Sequence, residues 1–182
     1  CIQYPWPSIA RTIWGDHNRY INTYFSAFEN KYFTGDGAFR DEDGNFRITG
    51  RVDDVIIVSG HNLGTAPIED AINEHQLVAE SAIVGFPHDI KGNALYGFIT
   101  LKKEHENLGH IKKEINISIS KKIGPIAKLD KIQITNGLPK TRSGKIMRRI
   151  LRKIASKEFN NLGDISTLLN PDVVKEIIEN SL

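Results

Sequence analysis

The chain has 182 residues and nearly balances 24 lysines and arginines against 22 aspartates and glutamates. A chain this close to neutral has no strong field that would favour nucleic acid or an anionic membrane surface. No apolar run approaches the roughly 18 residues that a membrane-spanning helix needs. The length allows one domain with a real core and a second attached piece.

The first 50 residues are rich in aromatic and turn-forming side chains but have few periodic apolar positions. We therefore expect this region to be the edge of a larger domain that does not fold alone. The chain starts at Cys1, without a methionine or a leader-like stretch, which predicts a fragment of a longer protein. A single cysteine cannot form an internal disulfide, so a reducing compartment is expected. Residues 41–45 predict a turn between extended residues 38–40 and 46–49, hence a hairpin.

Periodic apolar positions after residue 53 predict a second, compact domain. Pro67 suits the first turn of a helix, and Glu69 lies near the positive end of that helix. The order of elements predicts an α+β fold with a mostly antiparallel sheet. The predicted elements are a strand at 55–58, a helix at 68–74, strands at 81–86 and 95–101, a helix from Leu108 that Gly124-Pro125 ends, a strand at 131–135, a helix at 146–154 and, after a loop from Phe159, a short helix from Asp172.

Three loops carry residue types that suit ligand binding. Asp36 lies between two glycines, so its carboxylate can accept hydrogen bonds from a ribose diol, although an ordinary turn aspartate fits the same pattern. Residues 58–64 predict a strand that leads into a glycine-containing loop. In Gly144-Lys145 a glycine precedes a lysine whose ammonium can reach a phosphate or a carboxylate.

Asp53 and Asp54 lie side by side where the composition of the chain changes. Paired carboxylates can bind a metal or share a proton. Adjacent residues of an extended segment point to opposite sides, however, which disfavours both roles. A solvated turn between two domains is the expectation.

These motifs, in their order and spacing, resemble the adenylate-forming acyl-CoA synthetases, and most closely the AMP-forming acetyl-CoA synthetases. The likeness runs from about Arg11 to the C-terminus. It rests on Tyr-Phe-Thr-Gly-Asp at 32–36, Gly-Arg-Val-Asp-Asp at 50–54 with Val-Ser-Gly-His at 58–61, and Pro-Lys-Thr-Arg-Ser-Gly-Lys at 139–145. The resemblance implies that residues 1–52 are the edge of the large AMP-binding domain, that residues 53–158 are the mobile C-terminal domain, and that residues 159–182 are a tail.

The resemblance also implies roles for single residues. Lys145 corresponds to the catalytic lysine of adenylation, which is also the lysine that protein acetylation silences. Asp53 corresponds to the hinge about which the C-terminal domain rotates. The other implied residues are Asp36, Arg51 and Asn62 for the nucleotide and Ser59, Gly60 and Ser120 for CoA.

Two positions depart from the family pattern. Asn62 and Ser120 stand where the family usually has arginines, one for the adenylate phosphate and one for a CoA phosphate. Asparagine donates a hydrogen bond but supplies no charge. Lys121 and Lys122 follow Ser120 and can replace the second charge. We therefore expect the phosphate contacts at these positions to differ from those of the family.

The resemblance further places a divalent cation near Asn73, His75 and Val78. Orphan carbonyls at a helix C-terminus favour cations. A single histidine without a carboxylate partner is nevertheless a weak metal site. A solvated helix end is the alternative for these three residues.

Basic residues are dense between positions 140 and 153, a pattern that also occurs in nucleic-acid patches. No aromatic side chains interleave for base stacking, and an apolar stripe ties the predicted helix to a core. We therefore expect no nucleic-acid partner.

The resemblance implies an acetate–CoA ligase that makes acetyl-CoA from acetate, ATP and CoA through acetyl-AMP, with Mg2+ as a further cofactor. A propionyl-CoA or other short-chain synthetase is an alternative, because the family places the acyl pocket in the large domain. A non-catalytic nucleotide- or CoA-binding fragment is a second alternative. A protein acetyltransferase and a deacetylase acting on Lys145 are implied as partners, and a membrane is not. The expected location is the cytoplasm, or also the nucleus in a eukaryote. We expect the chain on its own to be inactive, because the family's phosphate loop lies in the large domain.

Overall fold

The computed structural model describes every residue from Cys1 to Leu182, and the chain divides into two compact units, Cys1–Asp53 and Asp54–Leu182. None of the helices combines the length and the apolar character that crossing a membrane requires. The boundary between the units lies in a 3-10 turn over Val52–Asp54.

The first unit contains one helix and one β-hairpin. Helix α1 spans His17–Tyr24, strand β1 spans Asp36–Arg40, and strand β2 spans Phe46–Arg51. The two strands pair antiparallel, which confirms the predicted hairpin. The sequence did not predict α1, because Tyr20 is its only buried residue and it has no periodic apolar face. Stacked aromatic rings hold this unit together instead, as in the Tyr24–Tyr32 pair with centroids 4.9 Å apart.

The second unit alternates strands and helices around one sheet. Helix α3 shows why these elements form: the Asn107 side chain accepts from the His110 amide at its start, and Gly124 follows its end with φ of 135°. The elements are β3 (Ile56–Val58), β4 (His61–Leu63), α2 (Thr65–Asn73), β5 (Val78–His88), β6 (Gly92–Leu101), α3 (Leu108–Lys122), a 3-10 turn (Pro125–Ala127), β7 (Lys131–Ile134), α4 (Arg148–Ala155) and α5 (Asp172–Glu179).

The sheet of the second unit has the strand order β4-β3-β6-β5, and β7 also pairs with β6. All pairs are antiparallel except β6–β7, which is parallel. A parallel pair needs a long crossover, and α3 with the following 3-10 turn provides it. This architecture confirms the predicted α+β class with a mostly antiparallel sheet.

Helices cover both faces of this sheet. Alternate residues of a strand point to opposite faces, so Leu95 and Ile99 of β6 pack in one core while Tyr96 and Phe98 pack in the other. Helices α2 and α3 close the first core through stripes that include Ile68, Ile72, Ile111 and Ile115. Helices α4 and α5 close the second core through Ile150, Leu151, Ile154, Val174 and Ile177.

The predicted loop at residues 58–64 is wrong in form. The structure has a tight hairpin, in which β3 and β4 are joined by Ser59 and Gly60 alone. Ser59 has φ of 49° and Gly60 has φ of 82°, and two central residues with positive φ make the turn type that matches strand twist. The prediction failed because the strand and its return are only three residues each.

Candidate functional site

In the first unit, Asp36 and Arg51 face each other at the open end of the β1–β2 ladder. Arg51 Nη1 donates to Asp36 Oδ1 at 3.3 Å and to the Thr34 carbonyl at 3.0 Å, and Arg51 Nε donates to Asp53 Oδ1 at 3.1 Å. Burial acts to lower the pKa of Arg51, but the charges of Asp53 and Asp36 outweigh it and raise the pKa. The result is an exposed carboxylate held in a fixed place by a paired guanidinium.

Gly35 explains why this cluster needs a glycine. Its φ is +75°, and a Cβ there would lie 2.8 Å from Arg51 Nη2. Any side chain would therefore strain the backbone and displace the guanidinium that holds Asp36.

In the second unit, the Ser59–Gly60 turn is exposed. The Ser59 amide donates to the Lys91 carbonyl at 2.9 Å, which ties the turn to the β5–β6 connection. A Cβ on Gly60 would meet nothing within 4 Å, so only its φ of +82° demands glycine within this chain. The space beside Gly60 is thus free for a ligand.

Asn62 and Ser120 lie on different elements. Asn62 is an exposed residue of β4, opposite Ile57 in the ladder, whereas Ser120 is a half-buried residue of α3. Lys122, one of the two cations expected to compensate at Ser120, forms an ion pair with Glu74. Lys121 is exposed.

Lys145 lies at the end of a closed loop. The Thr141 amide donates to the Lys145 carbonyl at 2.9 Å, and the Lys145 amide donates back to Thr141 Oγ1 at 3.2 Å. Gly144 supplies the positive φ of 82° that the turn needs, and the Lys145 side chain is exposed. The loop fixes the backbone of Lys145 while its ammonium stays accessible.

Three outside contacts, on two sides, pin the base of this loop. The Leu169 amide donates to the Lys140 carbonyl at 2.8 Å, and the buried Leu168 forms a bridge with Thr141. On the other side, Lys140 Nζ lies 2.6 Å from Glu80 Oε2 on β5.

A charged cluster that the sequence did not predict includes Arg148, which follows Lys145 by three residues. Arg148 Nη2 contacts Glu69 Oε1 at 2.7 Å and Oε2 at 2.6 Å, and Glu69 Oε1 also accepts from the Ile83 amide at 2.8 Å. Arg152 Nη2 donates to Asp54 Oδ1 at 3.0 Å. We call Asp54, Glu69, Arg148 and Arg152 the acidic–basic cluster.

Glu69 is only 9% exposed. The sequence placed it near the positive end of a helix but did not predict its burial. Burial raises its pKa above the ordinary value, while Arg148 and the Ile83 amide act in the opposite direction. The expected solvated pair at positions 53 and 54 is also wrong in part, because the Asp54 side chain is only 16% exposed and bonds to Arg152. The signal in the sequence for the burial of Glu69 was its position within the apolar stripe of α2.

Two further cations of the basic segment, Arg149 and Lys153, bind backbone carbonyls. Arg149 donates to the carbonyls of Leu162 at 2.6 Å and Asp164 at 2.9 Å, and Lys153 donates to the carbonyl of Asn161. These bonds fasten the chain that follows α4 onto the helix.

The expected metal position does not show a metal-binding set of side chains. Asn73 Oδ1 accepts from Ser81 Oγ at 2.9 Å, and Val78 is a core residue. The expectation that His75 lacks a carboxylate is wrong, because His75 Nε2 lies 3.3 Å from Glu114 Oε2, 39 residues away. No group of three or more histidine, cysteine, aspartate or glutamate side chains could hold a metal ion.

The family model of the AMP-binding enzyme C-terminal domain matches residues 67–145, which include most of α2, strands β5, β6 and β7, and the Lys145 loop. The chain is 57% identical over 180 residues to acetyl-coenzyme A synthetase of Allorhizobium ampelinum, a match that covers 99% of this chain and 28% of that protein. It is 59% identical over 179 residues to acetyl-coenzyme A synthetase of Syntrophobacter fumaroxidans, with 98% and 28% covered. Residues 67–145 thus match the AMP-binding enzyme C-terminal domain, and nearly the whole chain is similar to part of these acetyl-coenzyme A synthetases.

Solved members of this family share the fold. The anthranilate CoA ligase AuaEII in complex with anthranoyl-AMP superposes with a TM-score of 0.75 at 27% identity, over 85% of this chain and 29% of that one. An ATP-bound RpMatB-BxBclM chimera gives a TM-score of 0.71 at 25% identity, over 82% and 29%. The family resemblance of the motifs is thereby confirmed, and the chain spans little more than a quarter of the curated relatives it matches.

Proposed function

We propose that this chain is the part of an AMP-forming acetate–CoA ligase that carries the adenylation lysine and the CoA-facing turn. The observation that carries the proposal is the Lys145 loop, pinned at its base and exposed at its ammonium, in a chain 57% identical to a named acetyl-coenzyme A synthetase. The proposed domains are the edge of the AMP-binding domain at 1–52, the mobile domain at 53–158 and the tail at 159–182.

The proposed reaction has two halves. A carboxylate oxygen of acetate attacks the α-phosphorus of ATP, pyrophosphate leaves, and acetyl-AMP forms. The sulfur of CoA then attacks the acyl carbonyl carbon, AMP leaves with the bonding electrons, and the thiol proton is released. Negative charge that develops on phosphate oxygens in the first half is what a fixed ammonium stabilises, and Lys145 supplies that ammonium.

Asp36 is proposed to hold the ribose hydroxyls. Its carboxylate keeps free acceptor capacity while Arg51 fixes its position at 3.3 Å. Arg51 and Asn62 are proposed to contact the adenylate. ATP, AMP and CoA are therefore the proposed ligands. Mg2+ is proposed as a further cofactor, and no step is assigned to it.

The Ser59–Gly60 turn and Ser120 are proposed to contact CoA. The open space beside Gly60 suits the narrow pantetheine arm, since a side chain at this position would occupy it. Because one loop serves the first half-reaction and the turn serves the second, rotation about Asp53 is proposed to exchange them.

Acetylation of Lys145 is proposed to regulate the first half-reaction, with a protein acetyltransferase and a deacetylase as partners, because it removes the charge. A cytoplasmic location is part of the same proposal. We expect the 182-residue chain alone to show no acetate-dependent ATP–pyrophosphate exchange. Propionate is the competing substrate, and the ratio of kcat/KM values for acetate and propionate in the complete protein that carries these residues decides between them.

Lys145→Ala in the complete protein tests the role of the lysine. Adenylation should fall roughly a hundredfold or more, the scale of losing one preorganised donor. Conversion of supplied acetyl-AMP and CoA should be largely spared. Lys175→Ala, an exposed lysine of α5, is the matched control and should change neither half. Near-normal adenylation, or an equal fall of both halves in a folded protein, would overturn the assignment.

A further inference from the structure

The acidic–basic cluster connects three points that are distant in sequence. Arg148 lies three positions after Lys145 and opens α4, Glu69 belongs to α2, and Asp54 is the first residue of the second unit. Glu69 also accepts from the Ile83 amide in β5, so the carboxylate is fixed to the sheet. The start of α4 is therefore tied to the sheet and to the beginning of its unit at once.

The start of α4 needs such support. Arg148 and Arg149 occupy its first turn, where the positive end of a helix disfavours cations, and no side chain caps it. Glu69 places its negative charge against Arg148 at 2.6 Å and offsets the unfavourable position of that cation. Together with the Met147 amide, which donates to the Pro139 carbonyl at 2.8 Å, this contact fixes the chain between Lys145 and the helix.

The bonding pattern of Arg148 is one-sided. Both Glu69 oxygens contact Nη2, while the buried Nε has no hydrogen-bond partner and lies 3.9 Å from Asp54 Oδ2. Two carboxylates on different elements thus surround one guanidinium whose side chain is 25% exposed. A lysine would keep the charge but would lack the planar group that lies between the two carboxylates.

We infer that Arg148, held by Glu69 and Asp54, is a positioning residue that sets the location of the Lys145 ammonium for adenylation. This inference rests on the proposed function of Lys145. Arg148 acts through the backbone of residues 145–148 and does not touch the reacting atoms. Misplacement of a catalytic group by about 1 Å can cost about a hundredfold in rate, so a small shift at Arg148 is sufficient.

The test uses Arg148→Lys and Glu69→Gln in the complete protein. Each should slow acetate-dependent ATP–pyrophosphate exchange about 10- to 100-fold, while thioester formation from supplied acetyl-AMP stays within about twofold. Glu69→Gln keeps the shape of the side chain, so it carries the test if Arg148→Lys fails to fold. Lys175→Gln on α5 is the control and should leave both half-reactions unchanged.

A double-variant cycle separates a positioning role from a structural one. If Arg148 acts through Lys145, then Arg148→Lys should cause no further loss of adenylation in a Lys145→Ala background. Full additivity in that background overturns the inference, as does a parallel fall of both half-reactions that follows the folded fraction. Failure of the proposed function would give a different result, because Lys145→Ala alone would then keep near-normal adenylation. That result would also overturn the inference.

Discussion

Asp36 and Arg51 are direct cross-strand partners, and their side chains meet at 3.3 Å between Oδ1 and Nη1. The guanidinium fixes the carboxylate, yet the Asp36 side chain remains 37% exposed. This arrangement leaves the carboxylate free to accept hydrogen bonds from a ligand.

Asp36→Ala in the complete protein should weaken AMP binding by about 10-fold or more, on the scale of about 1.5–3 kcal/mol for a hydrogen bond to a charged group. Calorimetric titration with AMP measures the change. Asp43→Ala, in the exposed turn of the same hairpin, should bind AMP as the unaltered protein does. Equal affinities for all three proteins would remove Asp36 from the nucleotide site.

Asp53→Pro should separate the two half-reactions. Proline fixes φ near −65° and restricts Val52, so the proposed rotation would be locked at one position. Asp53→Ala is the matched control, because it removes the same carboxylate from Arg51 but leaves the backbone free. Rapid-quench measurement of each half-reaction should show one half spared in Asp53→Pro alone. Equal slowing of both halves, or identical behaviour of the two variants, would contradict the hinge.

Asn62→Arg should tighten binding of a non-hydrolysable acyl-adenylate by about 1 kcal/mol, the difference between a charge-assisted and a neutral hydrogen bond. His61→Arg adds the same charge one residue earlier. Neighbouring residues of a strand point to opposite faces, so this control should not change the affinity. Competition binding reports both values, and an unchanged affinity in Asn62→Arg would mean that the phosphate is contacted elsewhere.

Glu69 should make the stability of the fold depend on pH. Its pKa is raised in the folded chain, chiefly by burial, so the folded state holds the proton more tightly than the unfolded state does. The free energy of unfolding should therefore fall as pH rises from the ordinary carboxyl range through the raised pKa. Urea unfolding of the 182-residue chain over a pH series measures this slope.

Glu69→Gln should remove that fall, because the amide does not titrate. Glu179→Gln, an exposed residue at the end of α5, should keep it. A stability difference between the native chain and Glu69→Gln that is constant with pH would show that ion pairing balances burial. A difference that grows in favour of the native chain as pH rises would show that ion pairing outweighs burial.

Local patterns were enough to predict most of the second unit. Helix α3 followed from the spacing of Leu108, Ile111, Ile115 and Ile119, of which the three isoleucines are buried. The Lys145 loop could be predicted equally well, since its residues are contiguous in the sequence. The Ser59–Gly60 hairpin was missed, although a Ser-Gly pair is a recognised turn signal, because its strands are only three residues each and a serine with positive φ is uncommon.

Long-range polar contacts could not be predicted in this way. Glu69 and Arg148 are 79 residues apart, and His75 and Glu114 are 39 apart. The apolar stripe of α2 indicates that Glu69 is buried, but no local pattern identifies the cation that pairs with it. The partners of Glu69 and His75 therefore became visible only when the elements were packed.

The fastening of residues 161–164 to α4 has an evolutionary consequence. Arg149 and Lys153 bind carbonyl oxygens there, and every amino acid carries one. Natural variants should thus accept nearly any substitution at Asn161. Leu162 packs against the second core, a Cβ at Gly163 would collide with Arg149, and the Asp164 carboxylate accepts from the Ser166 amide, so these three positions are restricted. Insertions and deletions should be rejected, since they move the carbonyls out of register with the two cations. Along this stretch, selection acts on spacing as well as on the identity of the side chains.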